Sequence, residues 1–163
     1  MLLINQYLHQ EKCPWNTKVT AISAGNGHLK VLKYLVENEC PWDNDISVVA
    51  SCKGHLDVLQ YMYTKGCIMN IGSHFIAIKY GNLHIVQWFV GIGVRFNEKL
   101  VATAARYGHL NILQLFHMNE FPWDEECCYS AAKNGHLEVL QYLRLNGCPS
   151  DERTTRYATL YGN

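Results

Sequence analysis

The chain has 163 residues, 48% of them hydrophobic and 17% charged, and its 14 basic residues balance 14 acidic ones. A net charge of zero argues against non-specific binding to nucleic acid or anionic lipid. No apolar run approaches the ~18 residues of a membrane span, and the N-terminus does not resemble a signal peptide. An odd count of seven cysteines favours a reducing setting, cytoplasmic or nuclear, over a disulfide framework.

A repeat of 27 residues organises the whole chain. It is marked by Gly27, Gly54, Gly81, Gly108, Gly135 and Gly162. The repeats comprise a half unit 1–15, full units 16–42, 43–69, 70–96, 97–123 and 124–150, and a half unit 151–163. Because each unit of such an array packs only on its neighbours, we expect a single repeat domain without a central core. The half units lack a polar capping face, so we expect the array to continue beyond this sequence.

The half unit 1–15 has the apolar pattern of one helix, and each full unit that follows predicts two helices. Residues able to cap a first helix are Asn16, Asp43, Asn70, Asn97, Asp124 and Asp151. In repeat 124–150 the first helix is predicted to end near Lys133, before a turn at Gly135. A second helix follows, with an apolar face formed by Leu137, Val139, Leu140 and Leu143.

The repeat 70–96 is the most irregular. Asn82 replaces the histidine that follows the turn glycine in most repeats, and Gly91 and Gly93 fall in and after its second helix. Because glycine in a helix interior costs about 1 kcal/mol relative to alanine, we expect this helix to be shortened or loosened. The half unit 151–163 then predicts a first helix. No strand pattern occurs, so the predicted fold class is all-α, an α-solenoid of helix–turn–helix repeats.

The run 131–140, AAKNGHLEVL, resembles the core of an ankyrin repeat, which joins two antiparallel helices. Gly147 and Cys148 stand where ankyrin repeats carry Gly-Ala. The repeats here are six residues shorter than the ~33 of that family and lack its Thr-Pro-Leu-His start, so we expect no hairpin. The resemblance therefore implies a solenoid of short, ankyrin-like repeats. The Cys-Pro-Trp-Asp junctions are similar to the arrays of large DNA viruses and some protists, which implies a viral protein.

Histidine and cysteine recur in phase and raise the question of a metal site. His136 and Cys148 lie at opposite ends of a helix, roughly 18 Å apart along its path, so they cannot share a metal ion. We predict that the phased cysteines are small apolar fillers and that the phased histidines bond backbone at the turns. No catalytic or phosphate-binding motif is present, and we expect neither an enzyme nor a cofactor or metal site.

The resemblance implies that the two residues before each turn glycine lie on the concave face that ankyrin repeats use for partners. We call the basic and aromatic members of this row the ridge: Lys53, Lys79, Tyr80, Arg106, Tyr107, Lys133 and Tyr161. Tyrosine and arginine are enriched at interface hot spots. The alternative is that they are ordinary helix-end residues, because cations near a helix C-terminus suit its dipole.

The sequence therefore predicts a non-catalytic scaffold for protein–protein interaction, whose partner is a protein or peptide with an acidic patch. One alternative is the substrate-recognition arm of a ubiquitin-ligase adaptor, by analogy with viral ankyrin proteins. Another is nucleic-acid binding along the basic row, for which a steep salt dependence is the signature.

Overall fold

The computed structural model describes residues 15–161, without the side chain of Tyr161. In chain order the helices of this part are α1 (Thr17–Gly25), α2 (Leu29–Glu37), α3 (Asp45–Lys53), α4 (Leu56–Thr64), α5 (Ile71–Lys79), α6 (Leu83–Gly91), α7 (Glu98–Arg106), α8 (Leu110–Met118), α9 (Glu125–Lys133), α10 (Leu137–Leu145) and α11 (Glu152–Tyr161). Residues 15–161 contain no strand. The predicted all-α fold of helix–turn–helix repeats is confirmed, and the odd-numbered helices are the first helices of their repeats.

Five of the six first helices begin directly after the predicted capping residue, whereas α3 begins at Asp45 with Asn44 at its N-cap, one residue beyond the predicted Asp43. Asn16 Oδ1 accepts the N–H of Lys18 at 3.0 Å, and Asn97 Oδ1 accepts the N–H of Leu100 at 3.1 Å. The other predicted residues also accept backbone N–H bonds at 3.0–3.2 Å, namely Asp43, which precedes the N-cap of α3, and the caps Asn70, Asp124 and Asp151. A cap of this kind contributes about 1 kcal/mol, so the sequence defines these helix starts locally.

The contacts divide the chain into two compact modules, with the boundary between Ile76 and Ala77, inside α5. In the N-terminal module α1 packs on α2 and α3, α3 packs on α4, and α2 packs on α4. In the C-terminal module α7 and α9 pack on their own second helices, α9 also packs on α7 and α11, and α8 packs on α6 and α10. First helices thus stack on first helices and second helices on second helices, as expected for an α-repeat solenoid.

The core lies between first and second helices, and the second helices α2, α4, α6 and α8 bury the same three positions, of which α10 buries two. Ile112, Leu113 and Phe116 of α8 are fully buried, and their counterparts in α10 include Val139 and Leu143. The predicted apolar face of α10 is partly wrong, since Leu137 is 64% exposed and Leu140 is only half-buried. Leu137 precedes Val139 by two residues, so the 3.6-residue turn places it on another side of the helix. α10 packs on one neighbouring second helix among the described residues, which leaves Leu140 less covered than Leu113.

The different burial of Leu137 and Leu140 predicts that truncating them affects the free energy of unfolding to different extents. Leu140→Ala should lower the free energy of unfolding by about 1–2 kcal/mol, below the ~2–5 kcal/mol of a fully buried leucine, because part of the side chain is already hydrated. Leu137→Ala should change it by less than ~0.5 kcal/mol. Urea denaturation followed by circular dichroism measures both. Equal losses for the two variants would contradict the assignment of faces.

The irregular repeat 70–96 does not have the shortened second helix that its glycines predict. α6 has nine residues, as α8 and α10 do. Gly91 is its last residue, where the penalty of a helix interior does not apply. Gly93, at φ +87°, takes the left-handed position after the helix end, as Gly147 does at φ +79° after α10.

Candidate functional site

The phased histidines tie each repeat to the one before it. The Nε2 atoms of His55, His109 and His136 bond the backbone carbonyl oxygens of Gly25, Lys79 and Arg106 at 3.2, 3.0 and 3.0 Å. A carbonyl oxygen only accepts, so Nε2 carries the hydrogen in each bond. The predicted backbone role of these histidines is confirmed, and each acceptor lies 30 residues earlier in the chain.

The turn glycines make room for these imidazole rings. A Cβ atom on Gly27, Gly81 or Gly108 would lie 2.6–2.7 Å from the ring of the histidine in the following repeat. The same glycines have φ between +66° and +75°, a conformation that L side chains rarely adopt. Each turn therefore needs glycine for two reasons, its backbone conformation and the close approach of the ring.

The phased cysteines fill the core as predicted. Cys40, Cys67 and Cys148 are 3%, 2% and 1% exposed, and the Cys148 thiol lies 3.3 Å from the carbonyl oxygen of Asp124. Burial raises the pKa of the Cys67 thiol to about 11, which keeps it a neutral, weakly reactive group. Within residues 15–160, no three His, Cys, Asp or Glu side chains lie where they could hold a metal ion.

The structure places the ridge residues at or just beyond the ends of first helices. Lys53 is exposed at the end of α3, in the N-terminal module, while Arg106 and Lys133 are exposed at the ends of α7 and α9. The rest of the ridge is Lys79, which is half-buried, Tyr80, which is 53% exposed, Tyr107, which is half-buried, and Tyr161, whose side chain lies outside the described residues.

Lys79 joins two repeats through aromatic rings. Its Nζ lies 5.5 Å from the centroid of Tyr80, in its own repeat, and 5.8 Å from that of Tyr107, in the next. Cation–π contacts at exposed sites contribute about 0.5–1 kcal/mol each. The structure thus brings together three ridge residues that the sequence grouped only by phase.

Lys133 is surrounded by two tyrosines that the sequence analysis did not include. Its Nζ donates to the Tyr129 hydroxyl at 3.2 Å and lies 5.4 Å and 5.9 Å from the ring centroids of Tyr129 and Tyr157. The hydrogen bond with Tyr129 raises the pKa of Lys133, and the nearby positive charge of Arg106 acts in the opposite direction. A spacing of four residues between Tyr129 and Lys133 on one helix was the available signal.

Among the described residues, three of these cations form no ion pair with an acidic side chain. The ion pairs of the described residues are those of Arg153, with Glu126 at 3.1 Å and Asp151 at 2.6 Å. Within the described residues Lys79, Arg106 and Lys133 therefore pair with no carboxylate. Lys79 and Lys133 lie beside tyrosine rings, of which Tyr80 is exposed and Tyr107, Tyr129 and Tyr157 are half-buried. We call this surface of the C-terminal module the basic–aromatic patch: Lys79, Tyr80, Arg106, Tyr107, Tyr129, Lys133 and Tyr157.

Lys53, in the N-terminal module, lines an open groove and is not part of the basic–aromatic patch. An open groove of about 330 Å³ between α1 and α3 is lined by Ala21, Ile22, Gly25, Asn26, Val49 and Lys53. A Cβ on Gly25 would lie 2.6 Å from Val49 Cγ1, so glycine lets the two helices approach here. This groove is mainly apolar, and among the described residues that line it Lys53 is the charged one.

No protein-family model matches this chain, and no curated protein matches it. The class that the structure defines is that of the all-α helical repeat proteins. In the described part of the chain, every helix is too short or too polar to cross a membrane.

Proposed function

We propose that this protein is a non-catalytic scaffold that binds another protein or a peptide through the ridge, and in the C-terminal module through the basic–aromatic patch. The observation that carries the proposal is the lack of acidic partners for Lys79, Arg106 and Lys133. A cation without an acidic partner beside a tyrosine ring that is at least partly accessible offers both charge and contact area to an acidic partner.

The histidine bonds support the same proposal. They end on the carbonyl oxygens of Lys79 and Arg106, so the backbone of two patch residues is bonded to the following repeat. A surface that is ordered before binding loses little conformational entropy in the complex. The proposal also includes the ankyrin-like repeats and the viral source that the sequence resemblance implies. It further includes a reducing compartment for the protein, which suits its buried cysteine thiols.

A four-residue variant tests the proposal. Lys79, Tyr80, Arg106 and Tyr107 are changed together to alanine, and binding partners are captured from extract by parent and variant and quantified by mass spectrometry. We expect the variant to lose partners that the parent retains, with affinities weakened at least ~30-fold in calorimetry with the purified partner, because a single hot spot of ~2 kcal/mol suffices for that loss.

The matched control removes equal charge and similar area elsewhere. It changes Lys30, Arg95, Met118 and Leu145 to alanine, all of which are exposed and lie outside the ridge. This control should bind as the parent does and melt close to it. The ridge variant should stay folded but lose about 1–2 kcal/mol, because it removes both cation–π contacts of Lys79. Equal capture by the parent and the four-residue ridge variant would overturn the proposal.

Nucleic-acid binding is the second candidate, favoured by the same rings beside uncompensated cations, since bases stack on aromatic side chains. Its signature is the salt dependence of binding. Contacts with several phosphates make log Kd change steeply and linearly with log salt concentration, by about 0.7 per contact for a single strand. A shallow dependence with a single-stranded RNA probe, alongside tight binding of a protein partner, would dismiss it.

A further inference from the structure

We infer that the basic–aromatic patch binds an acidic segment in the polyproline II conformation, with a carboxylate at every third residue. This inference rests on the proposed function and adds the conformation and the register of the partner. It is carried by the spacing of the three uncompensated cations, by the bonds that fix that spacing, and by the rings between them.

The three cations occupy one equivalent position in successive repeats. Lys79, Arg106 and Lys133 each lie two residues before a turn glycine. Packed helices lie about 8–10 Å apart, and α7 and α9 are packed on each other. Arg106 and Lys133, the last residues of α7 and α9, are therefore roughly 9 Å apart at the backbone, and Lys79 takes the equivalent place one repeat earlier, bonded through its carbonyl oxygen to His109 in the repeat of Arg106.

The register of this row is fixed through the backbone. His109 bonds the carbonyl oxygen of Lys79 at 3.0 Å, and His136 bonds that of Arg106 at the same distance. Lys79 Nζ also lies 5.8 Å from the Tyr107 ring, which immediately follows Arg106. Successive cations are thus held one repeat apart by contacts that the next repeat supplies.

Among the regular conformations of a short peptide, polyproline II matches this interval. It has three residues per turn and rises about 3.1 Å per residue, so residues i and i+3 lie on one side, roughly 9.3 Å apart. In a β-strand, residues three apart point to opposite faces, and same-face neighbours are separated by about 6.6 Å. A polyproline II segment with acids at i, i+3 and i+6 can therefore place one carboxylate at each cation.

The tyrosines of the patch can contact the residues of the bound segment that lie between its acidic residues. Tyr80 is 53% exposed, and Tyr129 and Tyr157 meet edge-to-face with ring centroids 5.5 Å apart beside Lys133. Aromatic side chains form the surfaces on which proline-rich polyproline II ligands dock. A segment with an acidic residue at every third position and proline at the two positions between would supply both the matched charges and the polyproline II conformation.

Two peptides of identical composition test the register. The first is acetyl-(Glu-Pro-Pro)₃-amide, and the second carries the same three glutamates consecutively, followed by six prolines. Both have the same charge and the same bias to polyproline II, so only the register differs. Binding to the whole chain is measured at low salt by calorimetry, with peptide up to about 1 mM. We expect the first peptide to bind at least tenfold more tightly.

Arg106→Ala removes the central cation and should reduce that preference to about threefold, because the first peptide then matches two cations instead of three, whereas the second peptide matches one in either protein. Arg95→Ala, an exposed arginine outside the patch, should leave the preference unchanged. Equal binding of both peptides would overturn the register while leaving an acidic-partner scaffold in place. No binding of either would overturn the inference as a whole, whereas the capture experiment with the four-residue variant separately decides the proposed function.

Discussion

Replacing Phe116 by alanine is expected to lower the free energy of unfolding by about 3–5 kcal/mol. Phe116 is fully buried in α8, and its ring centroid lies 4.8 Å from that of Phe96 and 5.6 Å from that of Phe121. Phe96 and Phe121 meet edge-to-face at 5.3 Å, so the three rings form one cluster. Phe96 ends repeat 70–96 and the other two belong to repeat 97–123, so the variant removes apolar contact within a repeat and between repeats.

Met118→Ala provides the matched control in the same helix. Met118 is 75% exposed, so its truncation should change the free energy of unfolding by less than ~0.5 kcal/mol. Urea denaturation followed by circular dichroism at 222 nm compares the two variants with the parent. A loss below ~1 kcal/mol for Phe116→Ala would show that the ring cluster contributes little to the core.

The cluster also shows what the repeat pattern does and does not predict. The 27-residue phase places Phe121 where Cys40, Cys67 and Cys148 stand in other repeats, and Phe96 where Trp42 and Trp123 stand. In the sequence, Phe96 and Phe121 are each only an exception to the residue that other repeats carry at the same position. In the structure the rings of Phe96 and Phe121 are in contact, because the end of one repeat packs against the end of the next. Compensation of this kind depends on how repeats stack, and a single sequence does not contain that information.

Helix boundaries were predictable because their signals are local. Asp124 caps the helix that begins one residue later, and Lys133 is the last residue of that helix, as the sequence indicates. The prediction for Leu137 was wrong because an apolar residue at the start of a helix can satisfy the pattern without facing the neighbouring helix. Gly91 was misjudged for a related reason, since its penalty depends on whether it lies inside the helix or at its last residue.

The candidate site was predictable in position but not in composition. Phase alone selected Lys79, Tyr80 and Tyr107, and the structure joins them through cation–π contacts. It did not select Tyr129, which reaches Lys133 across one turn of α9, or Tyr157, which reaches it from α11, the first helix of the next repeat. Nor does a sequence show which cations are neutralised, because that depends on where each side chain meets an acid.

The close approach of imidazole rings to the turn glycines leads to the second large expected effect. Gly108→Ala should lower the free energy of unfolding by about 2–4 kcal/mol. An L residue at φ +75° carries strain of about 1–2 kcal/mol, because its Cβ crowds the following carbonyl oxygen. The new Cβ would also lie 2.7 Å from Nδ1 of His136, so the ring must move and its bond to the Arg106 carbonyl, about 1 kcal/mol, is lost.

Gly147→Ala separates the two contributions. Gly147 has φ +79°, and no atom lies within 4 Å of where its Cβ would be, so this variant should show the backbone strain alone, about 1–2 kcal/mol. A double-mutant cycle with His136→Ala isolates the ring. Once His136 is truncated, Gly108→Ala should be no more destabilising than Gly147→Ala, giving a coupling energy of about 1–2 kcal/mol between positions 108 and 136. If Gly108→Ala is equally destabilising with and without the imidazole, the glycine serves the turn alone and the histidine does not restrict its side chain.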